Sequence, residues 1–383
     1  MTRWNEYNLD DVAWINPSES LTKGKLAKKV AMEFLQPFTK RVTSYSLSPY
    51  NGGMKFRNGD TIIARITPCL ENGKTAFIDF LDEDEVGFGS TEYIVLREKE
   101  SITDRHFLYY FSISPIFREV AILSMTGSSG RQRVQTDVVR DHSFLLPPLP
   151  EQKAIASVLS SLDDKIDLLH RQNKTLEAMA ETLFRQWFIE EADDSWEEKP
   201  LDQIADYLNG LACQKYPPKN DIDKLPVLKI KELGNGFTEN SDWASTDIPD
   251  KYIVNSGDII FSWSGSLMVK IWNGEKCILN QHLFKVTSED YPKWFYYFWT
   301  KYHLEKFISI AESKSTTMGH IKRGDLSSSI VIIPNKKHLL EMDKNISPMI
   351  HKIIANNLQL KSLEKLRDTL LPKLMSGEVR VKY

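Results

Sequence analysis

Two stretches of this chain carry apolar or neutral residues at steps that alternate four and three. The first runs through Ile155, Leu159, Leu162, Ile166, Leu169, Asn173, Leu176, Ala180, Leu183 and Trp187. The second runs through Met342, Ile346, Met349, Ile353, Asn356, Leu360, Leu363, Arg367 and Leu370, with polar interruptions at Asn356 and Arg367. Such a seam is the mark of helices that pair along a narrow stripe. At 1.5 Å per residue, a helix over Glu151–Ile189 is about 58 Å long. A helix with one narrow apolar stripe needs a partner, and each run is the other's obvious partner. Antiparallel pairing is expected, with a globule at each end of a rod. Pro348 predicts a kink or a restart with Ser347 as N-cap. Pro372 is expected to end the second helix, and the alternation in Ser376–Val381 suggests a short strand.

Ahead of each long helix, short apolar runs alternate with Gly, Asn, Pro and Ser. Thr61–Ile66, Ala76–Phe80, Glu92–Leu96 and Ser143–Leu146 predict strands, as do Val227–Ile230, Ile259–Trp263, Leu283–Val286 and Ile330–Ile333. One or two helices are expected at His106–Ser124 and at Lys293–Ile310.

The two parts repeat. Phe107-Leu108-Tyr109-Tyr110-Phe111 matches Trp294-Phe295-Tyr296-Tyr297-Phe298 at an offset of 187. That offset also pairs Val134 with Ile321, Val139 with Leu326 and Pro147 with Pro334, and gives eight identities between Lys165–Leu183 and Lys352–Leu370. Near the start, Trp4, Glu6, Leu9, Asp10 and Ala13 match Trp196, Glu198, Leu201, Asp202 and Ala205 at an offset of 192. Gly59-Asp60 before Ile62-Ile63 resembles Gly257-Asp258 before Ile259-Ile260. A period this long is a whole domain plus a helix, so the chain is two copies of one mixed α+β unit.

Composition narrows the class. With 383 residues, 41% hydrophobic and 26% charged, the chain is an ordinary globular protein of two or three domains. A net charge of −3 excludes a uniformly basic coat but not a locally basic face. Cys69, Cys213 and Cys277 form no CxxC pair, which fits a reducing cytoplasm and argues against a disulfide frame. The N-terminus lacks the apolar core of a signal peptide, and the longest apolar runs are too short for a bilayer.

Catalytic signatures are missing. There is no phosphate-loop motif, no GxGxxG after a strand, no HExxH, no GxSxG and no [DN]PP[YF]. Asp163-Asp164-Lys165 resembles a nuclease fragment, but its place on the helix makes it a solvated surface. Lys165, Lys174, Lys361, Lys365 and Arg367 are likewise expected on a solvated coil face.

Binding chemistry is better represented. Gly127–Thr136 is small, polar and basic, and its counterpart at Lys314–Arg323 is the same in kind. Arg and Lys suit guanine edges and phosphates, Gln suits adenine, and Ser and Thr suit either bases or phosphates. The candidates here are Ser128, Ser129, Arg131, Gln132, Arg133 and Gln135, and Lys314, Ser315, Thr316, His320, Lys322 and Arg323. Lys55, Arg57, Arg65 and Lys74 join them in the first unit. Trp263, Ser264, Ser266, Asn280, Gln281 and His282 join in the second. Any one such loop is equally well a solvated turn, and recurrence at matching places favours function.

Leu145–Ala156 (LLPPLPEQKAIA) followed by Leu162-Asp163-Asp164-Lys165-Ile166-Asp167 resembles the specificity subunit of type I restriction–modification enzymes. So does Leu366–Val379 (LRDTLLPKLMSGEV), and Arg133-Val134-Gln135 and Gly89-Ser90-Thr91-Glu92-Tyr93 fit the interior of its recognition domains. Pro334-Asn335-Lys336-Lys337 departs from the pattern in the second unit. The resemblance implies target-recognition domains at 1–149 and 192–337, conserved helices at 150–191 and 338–375 forming an antiparallel coiled coil, and a tail at 376–383. It implies that each domain reads one half of a bipartite duplex DNA target while the helices set the gap and dock two methyltransferase subunits. Those subunits would use S-adenosylmethionine, and restriction subunits with ATP and Mg would join them. This chain would bind no cofactor, metal or membrane and would not be an enzyme. The alternatives are a stand-alone endonuclease or methyltransferase with an unrecognised site, and a coiled-coil protein scaffold.

Overall fold

The computed structural model describes residues 3–313 and 319–382, and the chain divides into two units, residues 1–167 with 362–383 and residues 168–361. The first unit holds β1 (Asn5–Asn8), β2 (Ala13–Ile15), β3 (Leu26–Val30), β4 (Ser46–Pro49), β5 (Lys55–Phe56), β6 (Thr61–Ala64), β7 (Thr75–Phe77), β8 (Gly87–Gly89), β9 (Tyr93–Glu98) and β10 (Ser143–Leu146). The second holds β11 (Glu197–Pro200), β12 (Asp206–Asn209), β13 (Lys224–Leu228), β14 (Trp243–Ser245), β15 (Ile253–Val254), β16 (Ile259–Ser262), β17 (Met268–Ile271), β18 (Cys277–Leu279), β19 (Leu283–Thr287) and β20 (Ile330–Ile333).

The first unit forms sheets β2-β9-β6-β7 and β4-β3-β8-β5 and the pair β1-β10. The second forms β12-β19-β16-β17, β14-β13-β18-β15 and β11-β20. Each strand of the second unit is numbered ten above its counterpart, so the repeat seen in scattered identities is a repeat of the whole topology. β3 pairs with β8, and β13 with β18, in parallel. The central strands are apolar on both faces: all four residues of β6 and of β16 are buried, as expected where a sheet is covered on both sides.

The principal helices are α1 (Arg105–Ile113), α2 (Pro115–Leu123), α3 (Leu149–Arg185), α4 (Lys293–Tyr302), α5 (Leu304–Ser313) and α6 (Lys336–Met375). Asp104 caps α1, accepting from the backbone N–H of His106 and Phe107 at 3.0 and 2.9 Å. The expected run His106–Ser124 breaks at Ser114-Pro115, where Pro115 takes the first helical position. The repeated aromatic motif is core: Phe107–Phe111 and Trp294–Trp299 are buried throughout.

Both long helices contribute to both units, and within each unit they run antiparallel. In the first, Arg380 beyond the end of α6 pairs with buried Glu151 at the start of α3, while Arg367 pairs with Asp163 at 3.0 Å. Leu371, Leu374 and Met375 share a core with Ile155, Ala156 and Leu159. In the second, Asn173 accepts from Asn356 Nδ2 at 2.9 Å and donates to Asn357 Oδ1 at 2.7 Å. Ile155, Leu159, Ile166, Leu169, Ile346, Ile353 and Leu360 are buried, and Leu162, Leu176, Leu183, Met349, Leu363 and Leu370 are partly so. Each fully buried Leu or Ile contributes about 1.5–3 kcal/mol.

Several expectations along these helices are overturned. Asp163 is not solvated. It is 8% exposed and accepts from Tyr110 Oη at 2.6 Å as well as from Arg367, whose side chain is 12% exposed. The polar interruptions of the stripe are therefore paired rather than exposed. α6 does not restart at Pro348; it runs unbroken to Met375, and Ser347 donates to Asp343 instead of capping. Pro372 likewise fails to end it, because the next residues, Leu374 and Met375, are held in the core of the first unit. The tail forms no strand: Val381 packs on that core, and Arg380 is committed to Glu151. After α3 a π-helical turn, Gln186–Glu190, shifts the phase, so Phe188 rather than Trp187 is fully buried.

Asp163→Ala is expected to lower unfolding stability by about 3 kcal/mol, because it removes the buried carboxylate from the guanidinium of Arg367, which keeps only the exposed Asp368 and a carbonyl, and takes the acceptor from Tyr110. Arg367→Met, which strands the Asp163 carboxylate with only the Tyr110 hydroxyl, should cost a similar amount, whereas the double variant Asp163→Leu with Arg367→Met should cost less than half of it. Urea denaturation of the intact chain checks all three; a loss below 1 kcal/mol for Asp163→Ala would mean that the pair is solvated after all.

Candidate nucleic-acid interface

β6 faces β9 with Ala64 opposite Tyr93, and β16 faces β19 with Ser262 opposite Leu283. One residue beyond these ends the chain leaves the sheet, at Arg65 and Glu92 in the first unit and at Trp263 and His282 in the second. A third segment joins each pair. Ile66 bridges to Arg133, and Ser264 bridges to His320, both antiparallel. The two loops that recur at an offset of 187 are thus stitched to the same corner of the same sheet.

In the first unit the stitching is dense. Val134 N–H donates to Arg65 O at 2.9 Å, Thr67 N–H to Gln132 O at 3.0 Å, and Arg65 N–H to Glu92 O at 2.9 Å. Gln135 Nε2 donates to Thr126 Oγ1 at 2.6 Å. Glu92 lies at the centre. It accepts from Arg133 Nε at 2.9 Å and from a second Arg133 nitrogen at 2.7 Å, and lies 3.9 Å from Arg65 Nε. The Arg133 hydrogen bonds hold the Glu92 carboxyl below its ordinary value. Ser128, Ser129 and Arg131 are exposed at the tip. The turn there needs glycine: Gly127 has φ +129, and a Cβ on it would meet the Arg131 carbonyl at 3.1 Å.

In the second unit the same corner is aromatic. Trp263 stacks on Phe284 at 5.7 Å and lies 5.9 Å from the His282 ring and 6.2 Å from the His320 ring. Its indole N–H donates to Asn209 Oδ1 at 3.1 Å. Ser264 Oγ lies 3.2 Å from His282 Nδ1, and Gln281 Nε2 lies 3.3 Å from His282 Nε2. Arg323 sits over the Phe284 ring at 5.9 Å and donates to Tyr207 O at 3.3 Å. Gly319 is obligatory, since a Cβ there would lie 2.6 Å from the Ala311 carbonyl. Lys322 and Ser266 are exposed.

Three separate stretches, 263–266, 280–282 and 319–323, therefore converge, and Arg65 converges with 126–135. Other candidates also make contacts within their own unit. Lys55 donates to Glu19 O at 2.5 Å, Arg57 pairs with Glu19 at 2.7 Å, and Lys74 donates to Met32 O at 2.9 Å. Ser264 and Asn280 are each 3% exposed and act by holding neighbours. Lys314, Ser315 and Thr316 lie outside the described residues. Glu92 and Asn209 were not among the sequence candidates as site residues. Glu92 stands in a motif legible in the sequence, Gly89–Tyr93; Asn209 has no signal of its own, because its role comes from packing beside Trp263. Among the described residues no group of three or more His, Cys, Asp or Glu side chains is placed to hold a metal, and no helix is long and apolar enough to cross a membrane.

The model of the type I restriction modification DNA specificity domain matches the chain twice, over residues 1–178 and 193–367. The specificity subunit of the type I restriction enzyme MjaIX of Methanocaldococcus jannaschii is 28% identical over 310 residues, covering 74% of this chain and 71% of the relative. The HindI specificity subunit of Haemophilus influenzae is 21% identical over 469 residues, covering 99% of this chain and all of the relative. The crystal structure of a type I restriction-modification S subunit from M. genitalium shares the fold at a TM-score of 0.59 and 16% identity, covering 97% of this chain and 96% of that one.

Glu92→Gln is expected to speed amide hydrogen exchange across residues 126–135 without affecting β6 or β9. The wild type should lose protection there, measured as exchange relative to the intrinsic rate at each pH, as pH falls. A carboxylate held low contributes fully above the ordinary glutamate range, and the contribution is lost as pH drops through its depressed value. Unchanged exchange in the variant would show that the loop docks through its backbone alone.

Proposed function

The chain belongs to the type I restriction modification DNA specificity family, and we propose that each of its two units reads one half of a bipartite, asymmetric duplex DNA target. It is a non-catalytic DNA-recognition subunit, and neither a stand-alone enzyme nor a protein scaffold gains support from its relatives. The observation that carries the two-half reading is the matched corner. An identical strand order and an identical loop bridge present arginines and a carboxylate in one unit and aromatic rings and imidazoles in the other. Two different readers on one frame imply two different half-sites.

In this reading residues 1–149 and 192–337 are the recognition regions. The helices at 150–191 and 338–375 set the gap between half-sites and dock two methyltransferase subunits. The exposed Ser128, Ser129, Arg131, Lys322 and Ser266 contact phosphates or base edges. S-adenosylmethionine is bound by the methyltransferase partners, and ATP and Mg by restriction subunits that join them in the cytoplasm. A net charge of −3 suits a chain whose partners supply part of the phosphate neutralisation.

Co-expression with a cognate methyltransferase subunit, followed by long-read mapping of methylated adenines, tests this. A single gapped, asymmetric motif that is absent without this chain is expected. An assembled complex that methylates nothing, or one uninterrupted motif, would overturn it.

A further inference from the structure

The matched corners allow a finer statement, which rests on the two-half reading above. Backbone register makes three positions equivalent between the units: Arg65 with Trp263, Glu92 with His282, and Arg133 with His320. Around them the frame is conserved in kind. Val134 and Ile321 are both buried, as are Val139 and Leu326, and Phe144 and Val331. Packing therefore holds the neighbours apolar, whereas these three positions change chemistry completely. That is the pattern of residues chosen for what they present rather than for what they pack against.

We infer that these three positions are the base-specificity determinants of each unit, the first set selecting a G·C pair and the second an A·T pair. In the first unit, Glu92 takes two Arg133 nitrogens and fixes that guanidinium. Arg65 approaches Glu92 only at 3.9 Å, beyond hydrogen-bond distance; its Nε is buried, so the donors it offers a base are its two terminal nitrogens. A guanidinium fork matches the paired acceptors O6 and N7 of guanine in the major groove. In the second unit the three positions offer no guanidinium. The Trp263 ring supplies an apolar face for the thymine methyl group. His282, engaged at Nδ1 by Ser264 and at Nε2 by Gln281, holds the Gln281 amide, whose oxygen and second N–H match N6 and N7 of adenine. Positions 65 and 263 face the base directly, whereas Glu92 orients Arg133 and His282 orients Gln281.

The test uses the complex assembled with the methyltransferase subunit and maps adenine methylation for variants. Arg65→Ala is expected to lose about ten- to a hundred-fold of discrimination at one G·C pair in one half of the motif, leaving the other half intact. His282→Ala is expected to relax one A·T pair in the opposite half. Arg65→Lys and His282→Gln, which keep charge or polarity and disturb packing less, provide the same readout if an alanine variant fails to assemble. A purely structural role would lower methylation at every site without altering base preference, and that result would overturn the assignment. So would both variants altering the same half, or an unchanged motif at wild-type levels. A wild-type complex with no gapped motif would instead remove the two-half reading on which the assignment rests.

Discussion

A long helix with one narrow apolar stripe cannot remain folded alone in water, and the largest core of each unit is built around covering that stripe. In each unit the cover comes from two sources, the other long helix running antiparallel and the aromatic helix of the globule. Tyr110 reaches Asp163 on α3, and Tyr297 reaches Glu177 on the same helix at 2.9 Å. Lys301 adds contacts to Glu177 and Glu181 at 2.9 Å. The globules and helices are thus single packed bodies within each unit rather than beads on a stalk.

The stripe is not uniformly apolar, and its polar positions carry information that leucine cannot. Asp163 with Arg367, and Asn173 with Asn356 and Asn357, hydrogen-bond to one another at one axial register, with Asn356 Oδ1 left unpartnered. A slip by one helical turn would leave a buried charge or amide without its partner, which costs more than the apolar contacts would regain. Apolar contacts alone tolerate such slips.

The loops obey the opposite economy. Their backbone is fixed by bridges to the sheet, Ile66 to Arg133 and Ser264 to His320. With the main chain anchored there, the side chains at the corner differ between the units, although Trp263 also packs on the core of its own unit. One unit presents a carboxylate and two arginines, the other a tryptophan and two histidines. A fold can hold its frame and change what it presents where backbone hydrogen bonds anchor the loop and side-chain contacts such as Glu92 with Arg133 add to them.

The helical stripes, the strands flanking Gly59-Asp60 and Gly257-Asp258, the aromatic core motif and the duplication were all determined by the sequence itself. Each rests on local periodicity or on self-similarity, which one-dimensional information contains. What tertiary structure alone decided is partnership. Asp163 and Arg367 are charged residues in a polar-looking stretch, and nothing local distinguishes a buried pair from two solvated charges. Pro348 and Pro372 carry a local signal for a break, and the packing of Ile346, Ile350, Leu371 and Leu374 overrides it. Among the candidate residues, Lys55, Arg57 and Lys74 have the same chemistry as Arg65 and Arg131, yet carbonyls and a carboxylate of their own unit occupy them. Residue type states what a side chain is able to bind; only the fold, by bringing distant partners within hydrogen-bond reach, decides which of them is left to bind something else.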